Sequence, residues 1–216
     1  MLAAADAALR RLLDVTIAGT LLIALAPLLA VLALLVRATS PGPALYRQTR
    51  VGRDGRPFIL LKLRTMHAGN PGMGPDITAG DDPRITPLGA RLRRAKFDEL
   101  PQLWNVLWGD MSLVGPRPEL PQYVWRYTPA QRAVLRVRPG LTDPASLAWA
   151  DEAATLGTFA DPQRAYAETV LPQKLALSLA YLDRRTVWSD LAVVTRTAAH
   201  MARAALPTRP RKRQHE

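Results

Sequence analysis

The sequence contains no cysteine and only three histidines, His67, His200 and His215, among its 216 residues. The absence of cysteine excludes disulfides, thiolate metal sites and cysteine nucleophiles, and the scattered histidines do not make a histidine metal cluster. Acidic residues are also scarce, because 18 Asp and Glu stand against 29 Lys and Arg, which gives a formal net charge of +11. Catalysis must therefore rest on carboxylates, hydroxyls and basic groups, and polyanionic partners such as nucleic acid, anionic lipid or phosphorylated substrates are expected.

Charged side chains are absent from residues 15–36, a run longer than the roughly 18 residues that mark a membrane candidate. Arg10 and Arg11 precede this run and Arg37 follows it, so both flanks carry the basic residues typical of the cytoplasmic side. Pro27 lies near the middle and removes one helical hydrogen bond, which favours a kink. The residues alone leave two alternatives open: a spanning helix, and a re-entrant segment that enters and leaves on one face.

A β-hairpin is predicted directly after this segment. Two extended stretches, residues 45–51 and 57–66, flank a Gly-Arg-Asp-Gly turn at 52–55, in which Asp-Gly supplies the positive-φ positions. The period-2 rule puts Lys62 and Arg64 on the same face of the second strand. That face is interpreted either as a solvated basic surface or as a binding surface.

Two adjacent carboxylates, Asp98 and Glu99, follow a predicted helix that starts at about residue 87 and has only basic residues at its polar positions. Residues 100–108 are apolar at helical spacing and predict another helix, with Asp98 as its N-cap and Gly109 as its end. Its two tryptophans share a face and suit either a membrane interface or a buried core pair. Further helices are predicted over residues 173–185 and 188–205, the second of them amphipathic.

Asp98 is expected to stay ionised, because a helix N-terminus and the basic residues nearby both favour the anion. Charge and position alone leave it three roles, as a helix cap, a metal ligand or a carboxylate nucleophile. Guanidinium groups around it suit phosphate recognition, since Arg binds phosphate oxygens through two parallel bonds. The proline-rich residues 113–118 predict a rigid loop that presents Arg117.

Residues 40–66, 82–119 and 138–149 resemble the successive signatures of the bacterial sugar transferases, the small monotopic phosphoglycosyl transferases. The blocks DELPQ, GDMSLVGPRP and PGLT occur in this order, and the similarity extends over about residues 11–191. The resemblance implies a membrane-associated, monotopic α+β fold. In it, a re-entrant helix hairpin broken at Pro27, a small β-hairpin and amphipathic interfacial helices surround a compact catalytic domain.

The resemblance also implies an activity, namely transfer of a phosphosugar from a nucleotide diphosphate sugar, with UDP as the expected nucleotide, to polyprenyl phosphate. The expected location is the cytoplasmic face of the bacterial inner membrane. Asp98 is implied as the nucleophile that forms an acyl-phosphosugar and expels the nucleoside monophosphate. Glu99 is implied in positioning and, with Asp98, in Mg²⁺ binding. Candidates for holding the phosphates and the nucleotide fall in the matching motifs: Lys62, Arg64, Arg91, Pro116, Arg117 and Pro118.

This reading divides the chain into a membrane helix over residues 1–39, a catalytic domain over 40–206 and a basic, disordered tail over 207–216. Two positions depart from the family pattern. Alanine rather than serine precedes the central proline, so a serine-assisted kink is not available. Asp143 follows the PGLT block where glycine is commoner, so no sugar preference is carried over from better-known members.

Three competing functions fit parts of the sequence. A nucleic-acid-binding protein would also be basic, but the long uncharged apolar run is a poor fit to it. A direct glycosyltransferase with a metal site at Asp81 and Asp82 would release a nucleoside diphosphate instead of a monophosphate. A basic membrane-anchored binding protein would leave the Asp-Glu pair and the Pro-Arg-Pro loop without a purpose.

Overall fold

Helices and two small sheets alternate along the chain in the computed structural model, which describes residues 2–67, 77–80 and 82–205. The expected mixture of α and β structure is therefore confirmed. The predicted basic tail at 207–216 lies outside the described residues, as does most of the Gly- and Pro-rich stretch before the basic helix.

Helix α1 spans Leu2–Thr39 without interruption and contains Pro27. Its residues Ala5–Thr39 are long and apolar enough to cross a membrane. At about 1.5 Å per residue the helix is roughly 57 Å long, nearly twice the thickness of a bilayer's hydrocarbon core. Because the helix continues through Pro27, the prediction of a helix hairpin broken at that residue is wrong. Proline removes a single donor, and contacts of Leu22 and Leu32 with the body of the protein on either side of it outweigh that loss.

One stripe of α1 packs against the rest of the chain over most of its length. The buried positions recur at helical spacing and are Asp14, Ala18, Leu22, Leu32 and Val36. The other side of the helix exposes large apolar side chains, among them Leu12, Ile23 and Leu34. The helix is thus attached to the protein along one face and leaves an apolar surface uncovered on the other.

The predicted hairpin is present. Strands β1 (Leu45–Val51) and β2 (Pro57–Leu63) pair antiparallel, with Tyr46 opposite Lys62. The connecting turn has positive φ at Asp54 (58°) and Gly55 (75°), as the Asp-Gly pair predicts.

The basic helix and the helix after the carboxylates are also where the sequence predicts them. Helix α2 spans Pro87–Arg94, and the Thr86 hydroxyl caps it by accepting a hydrogen bond from the amide of Gly89 at 2.9 Å. Helix α3 spans Gln102–Trp108 and ends at Gly109, which adopts a φ of 95°.

The two tryptophans of α3 face outwards. Trp104 is 43% exposed and Trp108 is 64% exposed, and their ring centroids are 5.9 Å apart. The buried-pair alternative is therefore wrong. Helix α3 is joined to α1 at its carboxyl end, where the guanidinium of Arg11 donates to the carbonyls of Val106 at 2.6 Å and Leu107 at 2.9 Å.

The second sheet was not predicted. Strand β3 (Ser112–Val114) pairs in parallel with β4 (Gly140–Thr142), which is distant in sequence. The long helices α8 (Leu171–Asp183) and α9 (Val187–Ala205) agree with the predicted ones. Four shorter helices complete the chain: α4 (Pro121–Val124), α5 (Pro144–Ala148), α6 (Glu152–Leu156) and α7 (Pro162–Ala165).

Candidate active site

Asp98 and Glu99 lie in a tight 3-10 turn, Phe97–Glu99, between α2 and α3. The chain enters this turn through Lys96, which adopts the left-handed conformation with a φ of 58°. Such a conformation is uncommon for a residue other than glycine and is often found at functional sites. The Phe97 side chain packs on the apolar cluster that includes Val36 of α1. The carboxylate pair is therefore positioned partly by α1.

The carboxylate of Glu99 accepts hydrogen bonds from two cationic side chains. Lys62 Nζ on β2 lies 3.1 Å from Glu99 Oε1, and Arg117 Nη2 lies 2.5 Å from the same oxygen. Burial alone would raise the pKa of Glu99, but Arg117 and Lys62 together hold that pKa well below its usual range. Glu99 likewise raises the pKa of Arg117. This triad brings together three residues that were predicted for the site from separate parts of the sequence.

Asp98 has the opposite surroundings. It is 6% exposed, it makes no ion pair with a described residue, and its buried Oδ1 has no hydrogen-bond partner among them. Burial raises the pKa of Asp98, and the neighbouring Glu99 carboxylate raises it further. Lys62, Arg93 and Lys96 act in the opposite direction and lower the pKa of Asp98, and the expectation that basic neighbours keep Asp98 ionised stays a prediction.

The N-cap role predicted for Asp98 is also wrong. Helix α3 begins at Gln102, with Pro101 in the cap position and no side chain capping it. Asp98 lies earlier, inside the 3-10 turn, so its carboxylate is not used to satisfy the amides of the helix. An unused buried carboxylate is costly in stability, which favours a chemical role over a structural one.

The loop that carries Arg117 is held by the second sheet. The amide of Gly140 donates to the carbonyl of Pro116 at 2.9 Å, and that of Gly115 donates to the carbonyl of Thr142 at 3.0 Å. The backbones of Gly115 and Gly140 are so close that a Cβ on Gly140 would lie 2.1 Å from the Gly115 nitrogen. These contacts hold the Pro116–Pro118 segment, so the predicted loop presenting Arg117 is present, although the first two residues of the predicted range, 113–118, belong to β3.

A shallow, open cleft lies beside this loop. Pro116, Arg117 and Pro118 form part of its wall. The remaining lining includes Gly52 from the hairpin turn, together with Tyr127 and Val134. Arg117 thus lines this cleft and also donates to Glu99, and the role of Pro116, Arg117 and Pro118 in nucleotide binding stays a prediction.

Arg64 does not belong to this site. Its buried guanidinium donates to the carbonyls of Val36 at 3.4 Å, Ser40 at 2.8 Å and Gly42 at 3.2 Å, and also to the carbonyl of Pro41. The predicted phosphate-binding role is thus contradicted. Arg64 satisfies the carbonyls at the carboxyl end of α1 and so joins α1 to the end of β2.

Arg91 is exposed on α2, and the structure gives it no partner among the described residues. Arg93, two residues further on, is better placed than Arg91 to act near Asp98. Its Nε donates to the Thr65 hydroxyl at 2.8 Å and its Nη1 to the Thr78 hydroxyl at 3.0 Å. Burial lowers the pKa of Arg93, whereas Asp98 raises it. Arg93 was missed in the sequence, although its run of basic neighbours pointed to this helix.

The carboxylates at this turn can contribute one or two ligands to a Mg²⁺ site. No group of three or more His, Asp or Glu side chains able to hold a metal occurs in the part of the chain that the structure describes. Mg²⁺ is commonly held by one or two carboxylates together with water and substrate phosphates. Asp98, which has no cation partner, fits such a partial set, and Glu99 fits it less well because its oxygens already accept from Lys62 and Arg117.

Two other acidic positions have structural roles. Asp143 is 1% exposed, caps α5 by accepting from the amide of Ser146 at 2.7 Å, and accepts from the Ser178 hydroxyl at 2.6 Å. Asp82 forms an ion pair with Arg84 at 2.6 Å, and Asp81 lies outside the described residues. The ion pair of Asp82 disfavours the metal site proposed for a direct glycosyltransferase.

Comparison with known proteins identifies the family. The sequence model for the bacterial sugar transferases matches residues 5–204. A UDP-glucose:undecaprenyl-phosphate glucose-1-phosphate transferase from Caulobacter vibrioides is 44% identical over 196 residues, which cover 87% of this chain and 67% of the relative. A protein of the same name from Escherichia coli K12 is 34% identical over 190 residues, 86% of this chain and 38% of the relative.

A third relative, from Bacillus subtilis strain 168, is described as a putative undecaprenyl-phosphate N-acetylgalactosaminyl 1-phosphate transferase. It is 45% identical over 120 residues, which cover 56% of this chain and 67% of the relative. The names of the relatives thus differ in the sugar and agree on undecaprenyl phosphate and on transfer of the sugar 1-phosphate. With the family match extending over nearly the whole described chain, this protein belongs to the bacterial sugar transferase family.

Proposed function

We propose that this enzyme transfers a phosphosugar from a UDP-sugar to polyprenyl phosphate and releases UMP. The observation that carries the proposal is the contrast within the carboxylate pair. Glu99 is neutralised by Lys62 and Arg117, whereas Asp98 is buried, makes no ion pair among the described residues and has an unused oxygen. The buried carboxylate of Asp98 thus has an oxygen available to attack a phosphorus atom, and the cations nearby can bind the phosphate oxygens.

The reaction proceeds in two displacements. In the first, a carboxylate oxygen of Asp98 bonds to the phosphorus that carries the sugar, and the bond from that phosphorus to the bridging oxygen breaks. The bridging oxygen leaves with the electron pair as part of UMP. In the second, a phosphate oxygen of the polyprenyl acceptor attacks the same phosphorus and displaces the Asp98 carboxylate. The product is polyprenyl diphosphate sugar, and the enzyme is returned unchanged.

The cations have separate tasks in this scheme. Arg117 and Lys62 hold Glu99 ionised and remain next to the diphosphate, where they offset the charge that develops on phosphoryl oxygens. The guanidinium of Arg93 is oriented by two threonine hydroxyls, to which its Nε and Nη1 donate, and its Nη2 is left to donate to a phosphate oxygen. The carboxylates would hold Mg²⁺ jointly with the substrate phosphates, and the bound ion supplies further charge neutralisation.

The membrane arrangement follows from α1. Its buried stripe runs from Asp14 to Val36, so the helix is attached to the catalytic body on both sides of Pro27. A helix that crossed the bilayer would place one half away from a body that stays in water. We therefore place both ends of α1 on the cytoplasmic side, with its uncovered apolar face and the α3 tryptophans in the lipid.

Cysteine labelling tests this topology, because the sequence has no cysteine of its own. A single cysteine in place of the exposed Ala7 should react with a permeant maleimide and be protected from an impermeant one in intact cells. A cysteine in place of the exposed Arg47 on β1 serves as the cytoplasmic control. Reaction of the Ala7 position with the impermeant reagent would show that the helix spans the membrane.

The activity is tested with a panel of nucleotide sugars and polyprenyl phosphate, monitored for the nucleotide product. UDP-glucose and UDP-N-acetylgalactosamine belong in the panel because they correspond to the sugars in the names of the relatives. We expect UMP release that depends on the lipid acceptor and on Mg²⁺. Release of UDP would instead identify a direct glycosyltransferase, which transfers the sugar without its phosphate.

A further inference from the structure

Two buried polar atoms near the catalytic turn have no hydrogen-bond partner among the described residues. One is Oδ1 of Asp98, an acceptor, and the other is Nε2 of Gln102, a donor. Buried groups of this kind nearly always find a partner, because an unsatisfied donor or acceptor away from water costs about 1–3 kcal/mol. The site therefore keeps one unpaired acceptor and one unpaired donor at a cost to stability.

The backbone keeps these two residues close along the chain. Asp98 lies in the 3-10 turn, Leu100 and Pro101 continue with helical dihedral angles, and Gln102 is the first residue of α3. A 3-10 helix has three residues per turn and an α-helix has 3.6, so Gln102 follows Asp98 by little more than one turn. The unpaired donor and the unpaired acceptor thus belong to residues at neighbouring levels of one buried run.

Gln102 lies deeper than Asp98. It is 2% exposed, against 6% for Asp98, so solvent barely reaches its side chain. An amide buried in this way is better suited to act on a neighbouring buried group of the protein than on the phosphosugar. Glu99 is a poor alternative target for it, because the Glu99 carboxylate already accepts from Lys62 and Arg117.

Resting on the proposed role of Asp98 as the nucleophile, we propose that Gln102 is a positioning residue whose carboxamide donates to Asp98 Oδ1 when the substrate is bound. That bond would fix the rotation of the carboxylate and leave the second oxygen directed at phosphorus. A donor to the anion also stabilises the form of Asp98 that attacks. Misplacement of a reacting group by about 1 Å can cost on the order of 100-fold in rate, so one bond of this kind has a measurable effect.

The test uses Gln102→Met, which keeps the shape of the side chain and removes the donor. A merely structural role predicts that stability and activity change together. The proposed role predicts that activity falls while stability does not. Replacing an unsatisfied buried amide by an apolar side chain of similar shape is neutral or stabilising. The variant should melt at or above the temperature of the unmodified enzyme and keep its KM for the donor sugar, and yet form the covalent adduct about 100-fold more slowly.

Two further variants sharpen the result. Gln102→Glu puts a second carboxylate beside Asp98 and should form the adduct more slowly than Gln102→Met, since like charges repel. Gln163→Met, at an exposed glutamine on α7, should behave as the unmodified enzyme does. Rates are measured on the full chain in detergent without acceptor, with UDP-glucose or UDP-N-acetylgalactosamine, whichever the panel selects.

The outcomes are separable. An unchanged adduct rate in Gln102→Met, or a rate that falls together with the melting temperature, would overturn the positioning role while leaving the proposed function intact. An unmodified enzyme that forms no adduct at all would overturn the proposed function, and the role of Gln102 with it.

Discussion

Asp98 and Glu99 are neighbours in the chain and have opposite electrostatic surroundings. Glu99 accepts from Lys62 at 3.1 Å and from Arg117 at 2.5 Å, whereas Asp98 makes no ion pair among the described residues. The pKa of Glu99 is accordingly held low and that of Asp98 is raised. The two carboxylates thus have different roles in the proposal. Glu99 binds the two cations, while Asp98 is left without an ion pair among the described residues and is available to react.

The contrast in pKa between Asp98 and Glu99 predicts a specific effect of pH on adduct formation. In the proposed mechanism Asp98 attacks as the anion, and its raised pKa should move the acidic limb of adduct formation above the ordinary aspartate range near pH 4. Glu99→Gln removes a negative neighbour that raises this pKa and frees Lys62 and Arg117 to act on Asp98. Both changes lower the pKa, so the limb should move to lower pH even if the maximum rate falls. A limb that stays in place or moves upwards, measured by quenched-flow adduct formation, would contradict this coupling.

Arg93 and Arg91 form a matched pair on one helix. Arg93→Ala removes the guanidinium held beside Asp98 by Thr65 and Thr78, and we expect kcat/KM to fall about 100-fold, as for loss of a strong charge-stabilising donor. Arg91→Ala removes an exposed side chain and should change kcat/KM little. Steady-state kinetics with purified variants decides the matter, and equal losses in the two variants would argue against a specific site at Arg93.

Arg64 should affect stability more than substrate binding. Arg64→Ala leaves the carbonyls of Ser40 and Gly42 without their charged donor, and should lower the free energy of unfolding by about 3 kcal/mol. The KM for the nucleotide sugar should remain close to that of the unmodified enzyme at a temperature where both are folded. The exposed Arg47→Ala on β1 is the control for loss of one positive charge. A KM that rises strongly in Arg64→Ala alone would restore the phosphate-binding role.

Asp143 is expected to matter for folding and not for the choice of sugar. Asp143→Ala removes the cap of α5 and the acceptor for the Ser178 hydroxyl, so it should cost about 2 kcal/mol of stability. The order of preference across the nucleotide-sugar panel should stay as it is. Chemical denaturation and the panel assay measure the two effects, and a changed order of preference would place this aspartate in the sugar site.

The local signals in the sequence predicted a large part of the fold. The Asp-Gly turn, the apolar spacing of α3 and the amphipathic pattern of α9 each depend on residues close together, and all three elements are present. The parallel pairing of β3 with β4 depends on contacts between segments distant in sequence, for which three-residue strands give no periodic signal. The continuity of α1 through Pro27 likewise depends on tertiary packing that outweighs a local preference.

The sequence likewise predicted some residues of the site and missed others. Motif similarity located Asp98, Glu99, Lys62 and Arg117, which the structure brings into one cluster. Motif position could not separate Arg64 from these residues, because strand alternation puts it on the face of Lys62 while its side chain reaches the end of α1. The unpaired amide of Gln102 has no signature in the sequence at all, since an unsatisfied buried atom is visible only once its surroundings are built.

The central claim is that Asp98 becomes covalently bonded to the phosphosugar. Intact-protein mass spectrometry after incubation with the nucleotide sugar and Mg²⁺, without the polyprenyl acceptor, tests it most directly. The unmodified enzyme should gain the mass of one sugar phosphate and lose it when polyprenyl phosphate is added. Asp98→Asn keeps the size of the side chain and removes the nucleophile, so it should show neither the added mass nor turnover. An unmodified enzyme without the added mass, or an Asp98→Asn variant that retains appreciable turnover, would contradict the two-step mechanism.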